Sequence, residues 1–316
     1  MKLIPSKAEL ITQGGGLQGI FKMIELAGRT CYKSEANITY DSASEFVGRM
    51  VKSGHTAMLE HGTVYLLIPY WNNYEDTELA SFFRHNPYSK TWGPMEDSVN
   101  WHVTTNYRVL VENNLVEKCK PFLCTPTKYH SLRISMRFIT SIGISRELIR
   151  HRVFSFANES TRYCNYGSDR FNNEITFIIP SWFNEEQHRA DRYKMLIVMD
   201  AFKQAEGYYM DLIKGKTFIT KVSSGHVTAP DEITEKVESV REVDMVPMTP
   251  QQAREFLPLC TKSEIVMTGF VSDWKHFFDL RYFGTTGKPH PDMLELTTKA
   301  KAVLEEAGLW GMITNS

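Results

Sequence analysis

Arg150, His151 and Arg152 stand side by side, and a hydroxyl and a further guanidinium follow at Ser160 and Arg162. Between and beyond them lie Phe154, Phe156, Asn158, Glu159, Thr161 and Tyr163. A basic cluster on a solvated face is usually laced with Lys and Glu and free of aromatics. This one is flanked by aromatic rings, so some of its guanidinium groups lie near apolar surface. An arginine so placed requires an anion, because a buried charge without a partner is costly. Its planar, fork-shaped donor set suits phosphate in particular.

The elements that must position these groups can be read around them. Ser131 to Ile142 alternates like a strand, through Leu132, Ile134, Met136 and Phe138, and leads into the cluster. The spacing then predicts a short helix, Arg146 to His151, capped by Ser145. On such a helix Arg150 and Arg152 project about 200° apart and cannot grip one ligand. If the chain leaves the helix at His151, each arginine can serve a different anion, with the imidazole between them. Two phosphorylated ligands beside one segment is then a natural reading. A positively charged surface turn with no particular ligand is the alternative that spacing alone leaves open.

Elsewhere, residues 1–12 predict extended chain, and Gly14-Gly15-Gly16 a flexible turn, since it lacks the spacing of a phosphate loop. Helices are predicted over 17–27, from Asp41-Ser42 to Ser53-Gly54, from an Asn184 cap through Glu185 and Glu186 to about 213, from Thr249-Pro250, and over 289–308. Strands are predicted over 63–68 and 175–179. From Asp273, the residues Trp274, Phe277, Phe278 and Arg281 share one helix face, so an arginine ends an aromatic stripe. It either reaches to solvent or points at a ligand.

The 316 residues carry 36 Lys and Arg against 37 Asp and Glu, a net charge of -1. That balance argues against a protein that coats nucleic acid or an anionic membrane. No apolar run approaches a bilayer span, and the first residues lack the apolar core of a signal peptide. The five cysteines form no CxxC pair, so free thiols in reducing cytoplasm are expected. His55, Glu60 and His61 could be metal ligands, but no further His or Cys at helical spacing completes a set, and no metal site is expected.

Arg150-His151-Arg152, seven residues and Ser160, continuing as Ser160-Thr161-Arg162-Tyr163, resembles the signature of the flavin-dependent thymidylate synthases. Further windows are similar to that family in the same order. They include Arg29-Thr30-Cys31-Tyr32, the His55 to His61 block, Arg254 before Leu257-Pro258, and Arg281. Together they span 27–66, 131–182 and 249–282. The resemblance implies a single α/β domain over 1–316, a mixed β-sheet flanked by helices, with insertions at about 70–129 and 214–246 and no Rossmann fingerprint.

It also implies an activity: methylation of dUMP to dTMP, with methylenetetrahydrofolate as carbon donor and FAD carrying the hydride from NADPH. The family is a homotetramer with active sites between subunits. Carried over by position, Glu147, Arg150, Glu159, Ser160, Thr161, Arg162, Arg254 and Arg281 would meet dUMP. Arg281 would be catalytic, favouring ionisation at N3 of the uracil. His55, Arg150, His151, Arg152, Asn158, Ser272 and His276 would meet FAD.

Departures are equally specific. Ala57 stands where the family has Ser or Thr, Asn158 where it often has Glu, Glu147 where many members have Gln, and Phe270-Val271-Ser272 where Asn-x-Arg is usual. Two other classes fit the same residues. One is a non-catalytic module binding a phosphorylated nucleotide or an RNA end. The other is a degenerate family member with a structural role.

Overall fold

The structure, a computed structural model, describes residues 1–70, 74–94, 99–183, 189–215, 217–223 and 237–316. Eleven strands are described: β1 Lys2–Ile4, β2 Lys7–Ile11, β3 Thr63–Pro69, β4 Lys90–Trp92, β5 Asn100–Asn106, β6 Arg133–Ser141, β7 Ser155–Asn158, β8 Thr176–Ile178, β9 Thr217–Ser223, β10 Val237–Asp244 and β11 Lys262–Phe270. The helices are α1 Gly16–Tyr32, α2 Ser42–Lys52, α3 Tyr74–His85, α4 Tyr107–Glu112, α5 Val116–Cys119, α6 Ile142–Leu148, α7 Arg189–Lys214, α8 Pro250–Ala253, α9 Val271–Arg281, α10 Pro291–Glu306 and α11 Trp310–Thr314. The α/β class is as expected. The strands divide among several sheets, in which the described pairings are antiparallel except for β1 with β8.

The site is carried by a four-stranded sheet of order β2-β6-β11-β7. Its central strand, β11, is buried from Lys262 to Gly269. Strand alternation sends Ile265 and Met267 to one face, against Trp274, Phe277 and Phe278 of α9 and Met293, Leu296 and Leu304 of α10. Val266 and its neighbour Ala157 of β7 face the other way, against Met23 and Ala27 of α1. Each large apolar side chain so enclosed contributes about 1.5–3 kcal/mol. The Trp274 indole, fully buried, donates from Nε1 to the Ile134 carbonyl at 3.2 Å and meets Phe154 edge-on at 4.8 Å. That contact ties α9 to β6 and to the turn carrying the arginine cluster.

A second core gathers on the sheet β3-β5-β4, with Phe46, Val47, Leu66, Ile68, Phe83, Val103 and Leu110 inside it. The segment 70–129, which gave no chemistry in sequence, supplies α3, β4, β5, α4 and α5 here, and β5 pairs with β3 along its length. A third cluster holds α7 against β8, where Phe202 stacks on Phe177 with centroids 4.4 Å apart. The Asn184-Glu185-Glu186 start expected for α7, and Gly225-His226, lie outside the described residues. Gly14-Gly15-Gly16 is the turn into α1. A Cβ at Gly19 would sit 1.9 Å from the Gly14 carbonyl oxygen, so the first helical turn needs a glycine there.

Two expectations about the central stretch are corrected. The short helix runs over Ile142–Leu148 rather than Arg146–His151, and its cap is Ser141, whose Oγ accepts from the Ile144 amide at 3.2 Å. Ser145 lies inside the helix and donates to the Ile142 carbonyl. Past Arg152 the chain enters β7, Ser155–Asn158.

Candidate active site

Because α6 ends at Leu148, all three members of the cluster fall in the turn between α6 and β7. Backbone bonds from His151 to Leu148, Arg152 to Arg150 and Phe154 to His151 close that turn. Strand β7 then pairs with β11 from Asn158↔Ile265 to Ser155↔Thr268, which anchors the turn to the central sheet. His151 is buried, whereas Arg150 and Arg152 are exposed on either side of it. The end of α9 is brought to the same place by its buried aromatic stripe.

The result is an open cleft of about 700 Å³ lined by Arg146, Glu147, Arg150, His151, Arg152, His276 and Arg281. Six of these were singled out in sequence, and the structure brings those six together. Arg281 is fixed there by three bonds: Nη1 to the Glu147 carboxylate at 2.7 Å, Nη2 to the Glu147 carbonyl at 3.4 Å, and Nε to His151 Nε2 at 3.0 Å. Burial, reinforced by Arg281 and His276, holds the His151 pKa down to about 4. The imidazole is therefore neutral at neutral pH. As Nε2 accepts, the ring proton is assigned to Nδ1. Arg150 and Arg152 have no ion pair among the described residues, so the cleft presents guanidinium groups that lack an anion.

A second group lies on the segment after β7. Ser160 and Thr161 are half-buried, and the Ser160 amide donates to the Cys31 carbonyl at 2.9 Å. Arg162 is exposed, bonded through Nε to Gln251 of α8 and placed over the Tyr163 ring. Arg254, just past α8, approaches Glu255 at 3.8 Å. The Glu159 side chain is committed elsewhere, with its carboxylate buried and receiving bonds from Lys262 Nζ at 2.7 Å and Tyr166 at 3.1 Å. Only its carbonyl could face a ligand, because its amide donates to the Glu264 carbonyl.

The remaining expected residues are dispersed. His55 is exposed at the start of the turn Thr56–His61, and Ala57 is exposed within it. Asn158 accepts from Ser263 at 2.9 Å, and Ser272 accepts from Lys90 at 2.6 Å. Among the described residues, no hydrogen bond or ion pair joins Arg162, Arg254 or His55 to the Arg281 cleft. No set of three or more His, Cys, Asp or Glu among them could hold a metal. His61 is buried, with Nδ1 on Thr268 at 2.8 Å, and burial takes its pKa to about 3. Burial also raises the thiol of Cys31, Cys119 and Cys164 to about 12 and that of Cys124 and Cys260 to about 11, so none is an activated nucleophile.

The sequence reading missed Arg146, which sits one helical turn before Arg150 and lines the same cleft; that spacing was the available signal. It also missed the ionic network of β11. Lys262 joins Glu159 and Glu264, and Glu264 in turn receives Lys33 and Arg137. Burial raises the Glu264 pKa, but Lys262, Lys33 and Arg137 outweigh it and leave the group at about 2.

A family model described as thymidylate synthase complementing protein matches residues 128–307, more than half of the chain. The chain belongs to this family. The matched stretch covers β6, the arginine turn, α8 and α9, and leaves the His55 block outside it. Among curated relatives in the family, a flavin-dependent thymidylate synthase of Corynebacterium efficiens is 30% identical over 168 residues, 52% of this chain and 54% of that protein. Another, from Mycobacterium marinum, is 27% identical over 143 residues, 44% of this chain and 46% of that protein. The chain thus spans about half the length of the curated relatives it matches. A crystal structure of a UMP/dUMP methylase, PolB of Streptomyces cacaoi, bound with 5-Br dUMP, aligns over 100% of this chain and 97% of that one at 14% identity, with a TM-score of 0.45.

Proposed function

We propose that the chain is a flavin-dependent thymidylate synthase, converting dUMP to dTMP with methylenetetrahydrofolate as carbon donor and NADPH as reductant. One observation carries this reading. Arg281 is clamped by Glu147 and a neutral His151 in a cleft whose Arg150 and Arg152 have no ion pair among the described residues. A donor set of that kind fits phosphorylated ligands, which is what FAD and dUMP both are. The family membership and the names of the curated relatives support the flavin.

When bound, the flavin would supply the hydride that completes the methyl group. The protein's own part is binding and electrostatics. Arg281, held rigid, would set a fixed cation by N3 and the ring oxygens of the uracil, stabilising the charge that builds as C5 becomes nucleophilic. Glu147 and His151 would keep that guanidinium aimed without competing for its charge-bearing outer face. Arg150 and Arg152, on opposite sides of His151, would hold dUMP and FAD respectively, and Arg150 would also meet FAD. Ser160, Thr161, Arg162, Arg254 and the Glu159 carbonyl would complete the nucleotide site, while His55, Asn158, Ser272 and His276 would contribute to FAD. The separation of Arg162, Arg254 and His55 from the Arg281 cleft supports a homotetramer in which subunits complete each other's sites. The five free cysteines suit a reducing, cytoplasmic setting, and among the described residues no helix is long and apolar enough to cross a membrane.

The test is product formation. Purified protein with FAD, NADPH, methylenetetrahydrofolate and dUMP should release the C5 hydrogen of dUMP and yield dTMP. Loaded with FAD yet giving no dTMP, it would leave this reading without support.

A further inference from the structure

Beyond Arg152 and Val153, which it shares with the Arg281 cleft, lies a second cleft of about 350 Å³. Three cations line it, from separate parts of the chain: Lys90 at the start of β4, Arg133 at the start of β6, and Arg152 of the arginine turn. The two carboxylates in its wall are already engaged. Glu60 Oε1 accepts from Arg108 Nη1 at 2.6 Å, and Asp273 Oδ2 accepts from the Phe270 amide at 3.0 Å.

Arg133 is the unusual member. Among the described residues its guanidinium donates to neutral acceptors: the Glu60 carbonyl at 3.0 Å, Thr63 Oγ1 at 3.3 Å and Ser155 Oγ at 3.5 Å. Burial draws its pKa down to about 10. Glu60 and Asp273 act on it from a distance but make no ion pair with it, so a further anion entering the cleft would find its guanidinium free to receive it. Lys90 belongs to 70–129, where the sequence gave no chemistry. Its backbone is fixed by pairing with Thr104 of β5, and its Nζ donates to Ser272 at 2.6 Å while sitting 4.5 Å from the Phe270 ring centroid. The sheet therefore delivers a positioned cation to the residues at the N-terminus of α9.

We propose that this second cleft receives the phosphate groups of the flavin nucleotide, with Lys90 and Arg133 as contacts beside Arg152. The inference deepens the function proposed above and rests on it. It gives the segment 70–129 a binding role, and it places a lysine from that segment beside Phe270 and Ser272, where the chain departs from its family.

Flavin affinity separates the phosphates from the ring. FAD and riboflavin, which has no phosphate, are titrated into wild type, Lys90→Met and Lys90→Arg, followed by quenching of flavin fluorescence. Lys90→Met should bind FAD about tenfold more weakly, the loss of one charge-assisted contact, with riboflavin affinity unchanged. Lys90→Arg should keep most of the FAD affinity. Equal FAD affinity in wild type and Lys90→Met, or an equal loss for both flavins, overturns the proposal. Should wild type bind neither flavin, the flavin-dependent reading itself falls, and calorimetry with inorganic pyrophosphate decides on the cleft. Weaker binding by Lys90→Met would keep it as an anion site, and no difference would end it.

Discussion

Arg281 is oriented by contacts that leave its charge intact. A carboxylate takes one end of the guanidinium, and an imidazole held neutral by its surroundings takes the Nε–H. Replacing Arg281 with Ala should lower kcat by about 10²–10³, the scale for losing one positioned electrostatic stabiliser, while FAD stays bound. Steady-state kinetics on flavin-loaded protein checks this, and a near-normal kcat would remove Arg281 from catalysis. At the other extreme stand the cysteines, whose thiols burial holds protonated. Cys31, Cys164 and Cys260 should each tolerate Ala or Ser with activity largely kept; a variant that folds and binds FAD but is dead would show a thiol at work. Arg150, His151, Arg152 and Arg281 were legible in sequence because their types are unusual in company: arginines among aromatics, and an arginine closing a helical stripe; Glu147 and His276 came only from the resemblance to the family. The commitment of Glu159 to Lys262 was not, since nothing local distinguishes a buried carboxylate from one facing a ligand.

At the level of elements, α9 was readable and β11 was not, for one physical reason. Trp274, Phe277 and Phe278 repeat at helical spacing and are buried as that pattern requires. Strand β11 is equally buried, but Lys262, Ser263, Glu264 and Thr268 interrupt its apolar residues. Those polar groups are satisfied by partners distant in sequence, which no local period reveals. The short helix α6 was misplaced because Ser141 and Ser145 are both plausible caps, and only the length of β6 decides between them. The buried ionisable groups make these elements acid-sensitive. The His151 pKa is about 4 in the fold against an ordinary 6.5, so the unfolded chain takes up the proton first. Its contribution is complete above about pH 6.5 and is lost as pH falls toward 4, with His61 adding in the same direction toward 3. Glu264, depressed to about 2, adds a loss below about pH 4.5. Urea midpoints should therefore fall between pH 7 and pH 4. His151→Gln should flatten that fall by up to the order of 3 kcal/mol. Identical pH profiles for the two proteins would mean that His151 is not held neutral.

Across the whole molecule, the candidate residues fall into separate groups, one around Arg281 and another around Arg162 and Arg254. If subunits complete each other's sites, two inactive variants should rescue one another. Arg281→Ala and Arg162→Ala, mixed under conditions that let subunits exchange, should recover a fraction of wild-type activity; no recovery would argue for a site contained in one chain. The central claim, that one site takes both a flavin and a uracil nucleotide, is tested most directly by the visible absorption spectrum of the purified protein, taken with FAD and again after dUMP. The account predicts a bound flavin spectrum that shifts when dUMP is added. No bound flavin at saturating FAD, or a flavin spectrum indifferent to saturating dUMP, would contradict it.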